Sequence, residues 1–537
     1  MSELKTRMNF SNIQIVILLS ILISISIIIR ISILPSELPI YQDGEVYFWY
    51  ANDMNILKEI PIWEKNTFPN TLWPTILSGF FSIISSDNFI DYMTLQRILS
   101  LSLSVLTVIP VFFLCKKFVD ARYAVIASCL FLFEPRLIQT SLNGLTEPLF
   151  LLLGSISILL FMNKKMFWVI VSFGVLALFS LTRYEGLVLI IPFSIMFFWK
   201  YRNKKYLTYY FIGIIIFLTI ILSINSLENR AFENSTFGHL VSGGNYYIGN
   251  VELENECPIN DKMISCTEFW EEKNVAKNSR TLSGIFNLII NMVKYYGWIT
   301  IPLFFIFIPI GLYKFFQNRN FEKWTVLICA IFMLIPAFYA FSRDFQEVRY
   351  LYIQIPFLCI IAATSIEFFG EKIKKPKIMI FIFLTGIILT GGIFFYDQTL
   401  VNYELEVEYF EISKKINVMM TVSNEIFPAD NYIRSGTIAG LDEFPVLRNS
   451  FDYFSMVMIP NDDHDSLEEL IQFGKENGLK HLVIDTDGDG INYLYDVFNN
   501  EEKYPFLEKI YDSRSDGFTY HVKFFKINYD EFRKYYE

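Results

Sequence analysis

The chain has 537 residues, 53% hydrophobic and only 19% charged, with a formal net charge of −10 and a mean hydropathy of +0.37. Soluble domains carry about one quarter charged residues, so this balance excludes an ordinary water-soluble enzyme and makes lipid the principal solvent. From Asp397 onward 28 acidic side chains stand against 13 basic ones; an acidic appendage on a basic membrane part repels phosphate, which argues against a nucleic-acid partner.

In chain order, Lys5 and Arg7 precede an apolar run from Ile13 to Ile29, and Arg30, Pro35 and Glu37 follow where a signal peptide would have small residues. The pattern predicts a retained first span with a cytoplasmic N-terminus. Further apolar runs fall near 92–114, 123–133, 148–162, 167–182, 186–199, 207–222, 298–316, 324–341, 351–369 and 378–396. They predict a multi-span α-helical membrane protein with about eleven transmembrane helices, several of them shorter than the usual ~20 residues. Alternate connections carry Lys116, Lys117 and Arg122, then Lys164 and Lys165, Lys200 to Lys205, Lys314 to Lys323, and Lys372 to Lys377. The other connections are acidic. That asymmetry places the basic loops inside and the C-terminal tail outside, at the plasma membrane.

Two outer loops are long. Residues 35–91 contain Trp49, Trp63 and Trp73 among apolar patches and predict interfacial helices, whereas residues 225–287 are polar and fit a lid. The chain thus divides into a membrane part, 1–396, and an acidic extracytoplasmic part, 397–537. In the latter, Val407 to Val422 reads as helical, Ser466 with Glu469 has capping-box spacing, and His481 to Asp485 and Phe518 to Ile527 read as strands, which predicts a small α/β domain.

Four segments carry chemistry. Asp43 and Glu45, in Tyr41-Gln-Asp-Gly-Glu-Val-Tyr47, share one side if the segment is extended, and partial desolvation of the pair would suit a general base; an ordinary acidic loop is the plain alternative. Glu147 precedes Pro148 at a helix start, where capping explains it structurally, yet it points toward the same outer surface. Thr182-Arg183-Tyr184-Glu185-Gly186 interrupts an apolar stretch at an outer membrane end, and ionisable groups at such depth are costly. Arg343 and Arg349 place two guanidinium groups at an outer loop, suited to a lipid phosphate or to pairing with Asp344 and Glu347.

The order of these motifs resembles the GT-C glycosyltransferases: Asp-x-Glu after the first span, then Thr146-Glu147-Pro148, Thr182-Arg-Tyr-Glu-Gly186 and an outer C-terminal domain. The branch it is most similar to holds the protein O-mannosyltransferases and the lipid A aminoarabinose transferases. The tail segments Leu482-Val-Ile-Asp485, Tyr504-Pro-Phe-Leu-Glu-Lys509 and Val522-Lys-Phe-Phe-Lys-Ile527 resemble prokaryotic members. The resemblance implies inverting transfer of a mannose-like sugar from a polyprenyl-phosphate donor to an acceptor hydroxyl on a protein, glycan or lipid. It implies Asp43 as base and Glu147 as a second acidic residue, with Glu45 assisting. Arg343, Arg349, Arg183 and Arg136 are expected to hold the donor phosphate. The tail lacks a Trp-Trp-Asp motif, the main oligosaccharyltransferase signature, and Asp261-Lys-Met-Ile falls outside the region where such a motif belongs.

Asp485, Asp487, Asp489 and Asp496 have the spacing of a calcium loop with Gly490 at its sixth position, although turn formers between a strand and a helix read the same way. A divalent cation at the acidic site is the other metal the sequence allows. Cys257 and Cys266 share an outer loop and are expected to form a disulfide, while Cys115, Cys129, Cys329 and Cys359 lie in or beside apolar runs. Two rival functions remain at this point: a lipid-linked sugar transporter or flippase, and a non-catalytic partner with the same fold. A transporter requires polar groups near mid-membrane, whereas the charges here gather at span ends.

Overall fold

The computed structural model describes residues 12–40, 43–57, 70–84, 86, 88–227, 236–238, 277–317, 320–342, 346–372, 376–422, 437–440, 455–458, 466–476, 479–486 and 492–536. Two compact units emerge, one of Met1–Ser36 with Gln42–Phe395, the other of Glu37–Tyr41 with Tyr396–Glu537.

The first unit is helical throughout its described length. Its helices are α1 (Asn12–Ser32), α2 (Asp43–Leu57), α3 (Leu72–Phe81), α4 (Phe89–Leu106), α5 (Val108–Lys116), α6 (Ala121–Leu132), α7 (Pro135–Leu142), α8 (Glu147–Phe161) and α9 (Met166–Thr182). They continue as α10 (Ile190–Lys200), α11 (Lys205–Leu227), α12 (Lys277–Thr300), α13 (Ile308–Gln317), α14 (Phe321–Phe332), α15 (Ile335–Ser342), α16 (Ile355–Gly370) and the first part of α17 (Pro376–Val422). Short 3₁₀ segments, Tyr184–Leu189 and Val348–Gln354, lead into α10 and α16.

Every apolar run read from the sequence is largely helical. Among the described residues, however, only 5 helices are long and apolar enough to cross a membrane, or up to 6 if α6 and α7, bent by 51°, form one span. α8 and α9 are shorter apolar helices. The eleven predicted spans therefore include broken and short pieces: residues 301–307 form turns inside the run near 298–316, and the runs near 186–199 and 351–369 begin in 3₁₀ segments.

Packing here depends on close approach, because lipid offers little hydrophobic drive between helices. α8 runs along α9, with Phe150 stacked on Phe179 at 4.0 Å. Gly311 of α13 lies so near the Ile361 carbonyl of α16 that a Cβ there would overlap it. Arg30, fully buried in the last turn of α1, donates to Ser26 and to the Leu132 carbonyl at 2.9 Å, so its charge is spent tying α1 to the end of α6.

The second unit is α/β. Its sheet has the order β2-β1-β3-β5-β4, from β1 (Thr437–Gly440), β2 (Ser455–Met458), β3 (Leu479–Asp485), β4 (Leu507–Asp512) and β5 (Val522–Ile527). β1 pairs parallel with β2 and β3, while β5 pairs antiparallel with β3 and β4. Strand alternation sorts the core onto two faces. Leu482, Ile484, Phe525 and Ile527 pack with α18 (Leu467–Glu476) and α19 (Asn492–Asn499), whereas Val483, Val522 and Phe524 meet Ile412 and Ile416 of α17. α20 (Tyr529–Tyr536) closes the chain with Phe532 buried. The Ser466 hydroxyl accepts from the Glu469 amide at 3.2 Å, one half of the expected capping box.

Candidate active site

The segment around Asp43 is helical, not extended, so the sequence expectation of two carboxylates sharing one side needs correction. α2 starts at Asp43, which puts Asp43 and Glu45 in the first turn near the positive helix end. In a helix, positions i and i+2 point apart. Asp43 pairs with the guanidinium of Arg349, 306 residues away, while Glu45 accepts from Trp49 Nε1 at 3.3 Å one turn on. Arg349 also pairs with Glu347.

Glu147 is the first residue of α8, with Thr146 before it making no capping bond. The Glu147 side chain is 4% exposed and turns to Arg183, accepting from Nη1 at 2.8 Å, while Arg183 Nη2 donates to Glu185 at 3.0 Å. Arg183 sits where α9 ends in extended backbone, and the 3₁₀ segment after it swings Glu185 back to the same guanidinium. The second oxygens of Glu147 and Glu185 are buried without a hydrogen-bond partner. Buried polar atoms normally find partners; among the described residues one oxygen of Glu134 shares this state, away from the cleft.

Both clusters line or border one cleft, whose walls include Glu147, Phe150, Arg183, Glu185, Arg349, Tyr350 and Tyr352. Tyr47, buried on α2, lies within electrostatic reach of Arg183, Glu147 and Asp43. Four carboxylates (Asp43, Glu147, Glu185, Glu347) thus surround two described guanidinium groups.

Gln96 of α4 sets the spacing. Its side-chain amide donates to the carbonyls of Gly44 and Gly144, both at 2.9 Å. Gly44 follows Asp43, and Gly144, in the left-handed conformation at φ 67, forms the turn before Glu147. Trp73 Nε1 also donates to Gly144 at 3.1 Å, which anchors α3 to the same turn.

Arg136 is placed elsewhere. It pairs with buried Glu134 at 2.6 Å and donates to the carbonyls of Ile301 at 2.9 Å and Trp298 at 2.7 Å, fastening α7 to the end of α12. The structure does not bring it to the cleft. Arg343, Asp487, Asp489, Cys257 and Cys266 lie outside the described residues, as does most of the loop expected to form a lid. Of the calcium-loop positions, Asp485 accepts from Tyr520 at 2.5 Å, and Asp496 accepts from Tyr504 at 2.5 Å and Asn500 at 2.6 Å. Both ends of that loop therefore face hydrogen-bond donors. Cys115, Cys129, Cys329 and Cys359 are free and buried, as packing residues.

Sequence reasoning did not rank Glu185, Tyr350, Tyr352 or Gln96 as site residues. The Arg183–Glu185 spacing hinted at the first. Nothing local marks Gln96, whose partners are backbone carbonyls on distant segments.

No family model matches the sequence, and no curated protein matches it. Solved structures do. The Archaeoglobus fulgidus oligosaccharyltransferase in complex with Zn and sulfate aligns with a TM-score of 0.56 at 15% identity over 94% of this chain and 72% of that one. ArnT from Cupriavidus metallidurans bound to undecaprenyl phosphate aligns at 0.55 and 11% identity, over 94% of this chain and 97% of that one. A further archaeal structure, AglB from Archaeoglobus fulgidus with an inhibitory peptide and a dolichol-phosphate, aligns at 0.51 with 14% identity, over 92% of this chain and 72% of that one. The membrane helices and the C-terminal sheet of this chain therefore have the fold of these solved structures.

Proposed function

We propose that the protein transfers a mannose-like sugar from a polyprenyl-phosphate carrier to an acceptor hydroxyl at the outer membrane face, with inversion and with Asp43 as general base. The observation that carries this reading is the meeting of Asp43 with Arg349 at the cleft that Glu147 and Arg183 line. A base and a phosphate-binding cation are the two groups such a transfer requires, because lipid phosphate leaves readily while the hydroxyl needs its proton removed. Neighbouring structures hold undecaprenyl phosphate and dolichol-phosphate, which supports a lipid-phosphate donor for this chain also. Another neighbour carries a tethered acceptor peptide, which supports a protein acceptor beside a glycan or lipid one.

In this mechanism Arg349 exchanges its carboxylate partners for the donor phosphate. The exchange releases Asp43 at the moment the donor arrives. Asp43 takes the acceptor proton, the acceptor oxygen bonds to the anomeric carbon, and the carbon–oxygen bond to phosphate breaks with its electron pair on the leaving group. Arg349 and Arg183 then stabilise the charge developing on that phosphate, with Arg343 as a further candidate. Glu147 orients Arg183. Tyr350 and Tyr352 offer aromatic faces for the sugar.

The unpartnered oxygens of Glu147 and Glu185 would suit a cation, but among the described residues no three His, Cys, Asp or Glu side chains converge as a metal cluster.

The test is release of polyprenyl phosphate by purified full-length protein supplied with mannosyl, glucosyl and N-acetylglucosaminyl polyprenyl phosphates and Ser/Thr peptides. Transfer by the wild type and its collapse in Asp43→Asn is the expected result. Undiminished turnover in that variant would remove Asp43 as base, and no release from any donor would favour a transporter or a silent partner.

A further inference from the structure

At the other end of α8, which is 15 residues and about 22 Å long, a separate charged site stands apart from the cleft. Lys117, just past α5, donates to the Met162 carbonyl at 3.4 Å, and Lys200, ending α10, donates to the Asn163 carbonyl at 3.3 Å. Exposed Lys164 follows directly in the chain. Burial holds Lys117 below the ordinary lysine range, with the Glu322 charge opposing and that of Lys164 adding. Lys200 lies within reach of the same Glu322 and of Lys117. Lys117 and Lys200 therefore share the one carboxylate of Glu322, with Lys164 adding its charge beside Lys117. Each ammonium has three donors. The single long contacts of Lys117 and Lys200 leave donors to spare.

Two further observations point to what fills the site. Lys200 lies over the rings of Phe321 at 4.6 Å and Tyr201 at 5.0 Å, beside the Trp199–Trp324 pair at 5.9 Å. Paired indoles mark a headgroup-level interface. In addition, Trp199 of that pair is 45% exposed, so the indoles open toward the lipid beside the lysines.

We propose that this end of the bundle binds an acidic phospholipid, its phosphate between Lys117, Lys164 and Lys200 and the top of its acyl chains against the Trp199–Trp324 pair. Basic pockets between transmembrane helices hold acidic headgroups by charge and hydrogen bonding together. A zwitterionic lipid brings an amine that the local excess of positive charge repels. A water-soluble phosphate gains nothing from the indole pair. The site is independent of the transfer reaction.

The experiment uses full-length protein in detergent, titrated with dioleoyl phosphatidylglycerol carrying bromines on its acyl chains, with quenching of tryptophan fluorescence as the readout. Brominated phosphatidylcholine is the comparison lipid, and Trp199→Phe/Trp324→Phe identifies the tryptophans responsible. Wild type is expected to prefer phosphatidylglycerol by at least tenfold. The triple variant Lys117→Gln/Lys164→Gln/Lys200→Gln should lose that preference, and the corresponding triple arginine variant should keep it, which separates lost charge from lost fold. An equal response to both lipids, a preference that survives the glutamine variant, or full displacement by millimolar inorganic phosphate would overturn the proposal.

Discussion

Two arginine–carboxylate groups, built from the same residue types, differ in where they stand: one is closed between helices, the other borders a cleft. Arg136 is consumed: one nitrogen serves Glu134 and the Ile301 carbonyl, another the Trp298 carbonyl, and the pair is buried between helices. Arg183 and Arg349 hold four carboxylates beside a cleft; among the described residues one oxygen each of Glu147 and Glu185 has no partner, as has one of Glu134, but theirs stand at the cleft. A buried ion pair with good acceptors is an internal fastening, and removing one partner strands the other charge. An ion-pair network open to a cleft can instead trade partners with a ligand. Location, more than residue type, separates the two uses.

Variants can break that distinction. Asp43→Asn should have the largest effect on transfer, lowering kcat by about 10² to 10⁴, the usual contribution of a general base, while donor binding changes little. Arg349→Gln should follow, with kcat/KM falling on the order of 10² as phosphate stabilisation is lost; an unchanged KM and kcat in steady-state assays would move the phosphate site elsewhere. Glu185→Gln keeps the shape and one acceptor, so a loss of about tenfold is expected, mostly in KM if Glu185 contacts the donor and absent if it only braces Arg183. Arg136→Gln should leave activity per folded molecule unchanged. Its cost falls on stability, about 3 to 5 kcal/mol for an orphaned buried partner, read as a lower unfolding temperature in detergent. A transfer defect in Arg136→Gln without that loss of stability would erase the contrast.

These two groups also show what a sequence discloses. Hydropathy marked where helices form, because apolar runs in lipid leave the backbone no alternative to helix. The β3 and β5 strands were equally legible, since a short apolar run that is buried in a sheet is a local signal. Asp43, Glu147 and Arg183 stood out as charges at apolar boundaries. Their partners did not: the Asp43–Arg349 pair spans 306 residues, and no pattern along the chain encodes that meeting. Arg136 looked as available as Arg183, because both are cations at the ends of apolar runs. Only the carbonyls of Ile301 and Trp298, brought over by α12, make it a fastening. Asp43 and Glu45 would share one side only in an extended segment, and the helix that begins at Asp43 turns them apart.

Gln96 has a consequence of its own. One primary amide, with its two hydrogens on the carbonyls of Gly44 and Gly144, works as a gauge block between the two acid-bearing turns. An inherited change at Gln96 would therefore mimic damage to Asp43 or Glu147 in a screen for function, although neither acid was altered. Glutamate there would be the harshest lesion. It would set an oxygen that cannot donate against two carbonyls and push the turns apart, so the gauge would fail by repulsion as well as by slack.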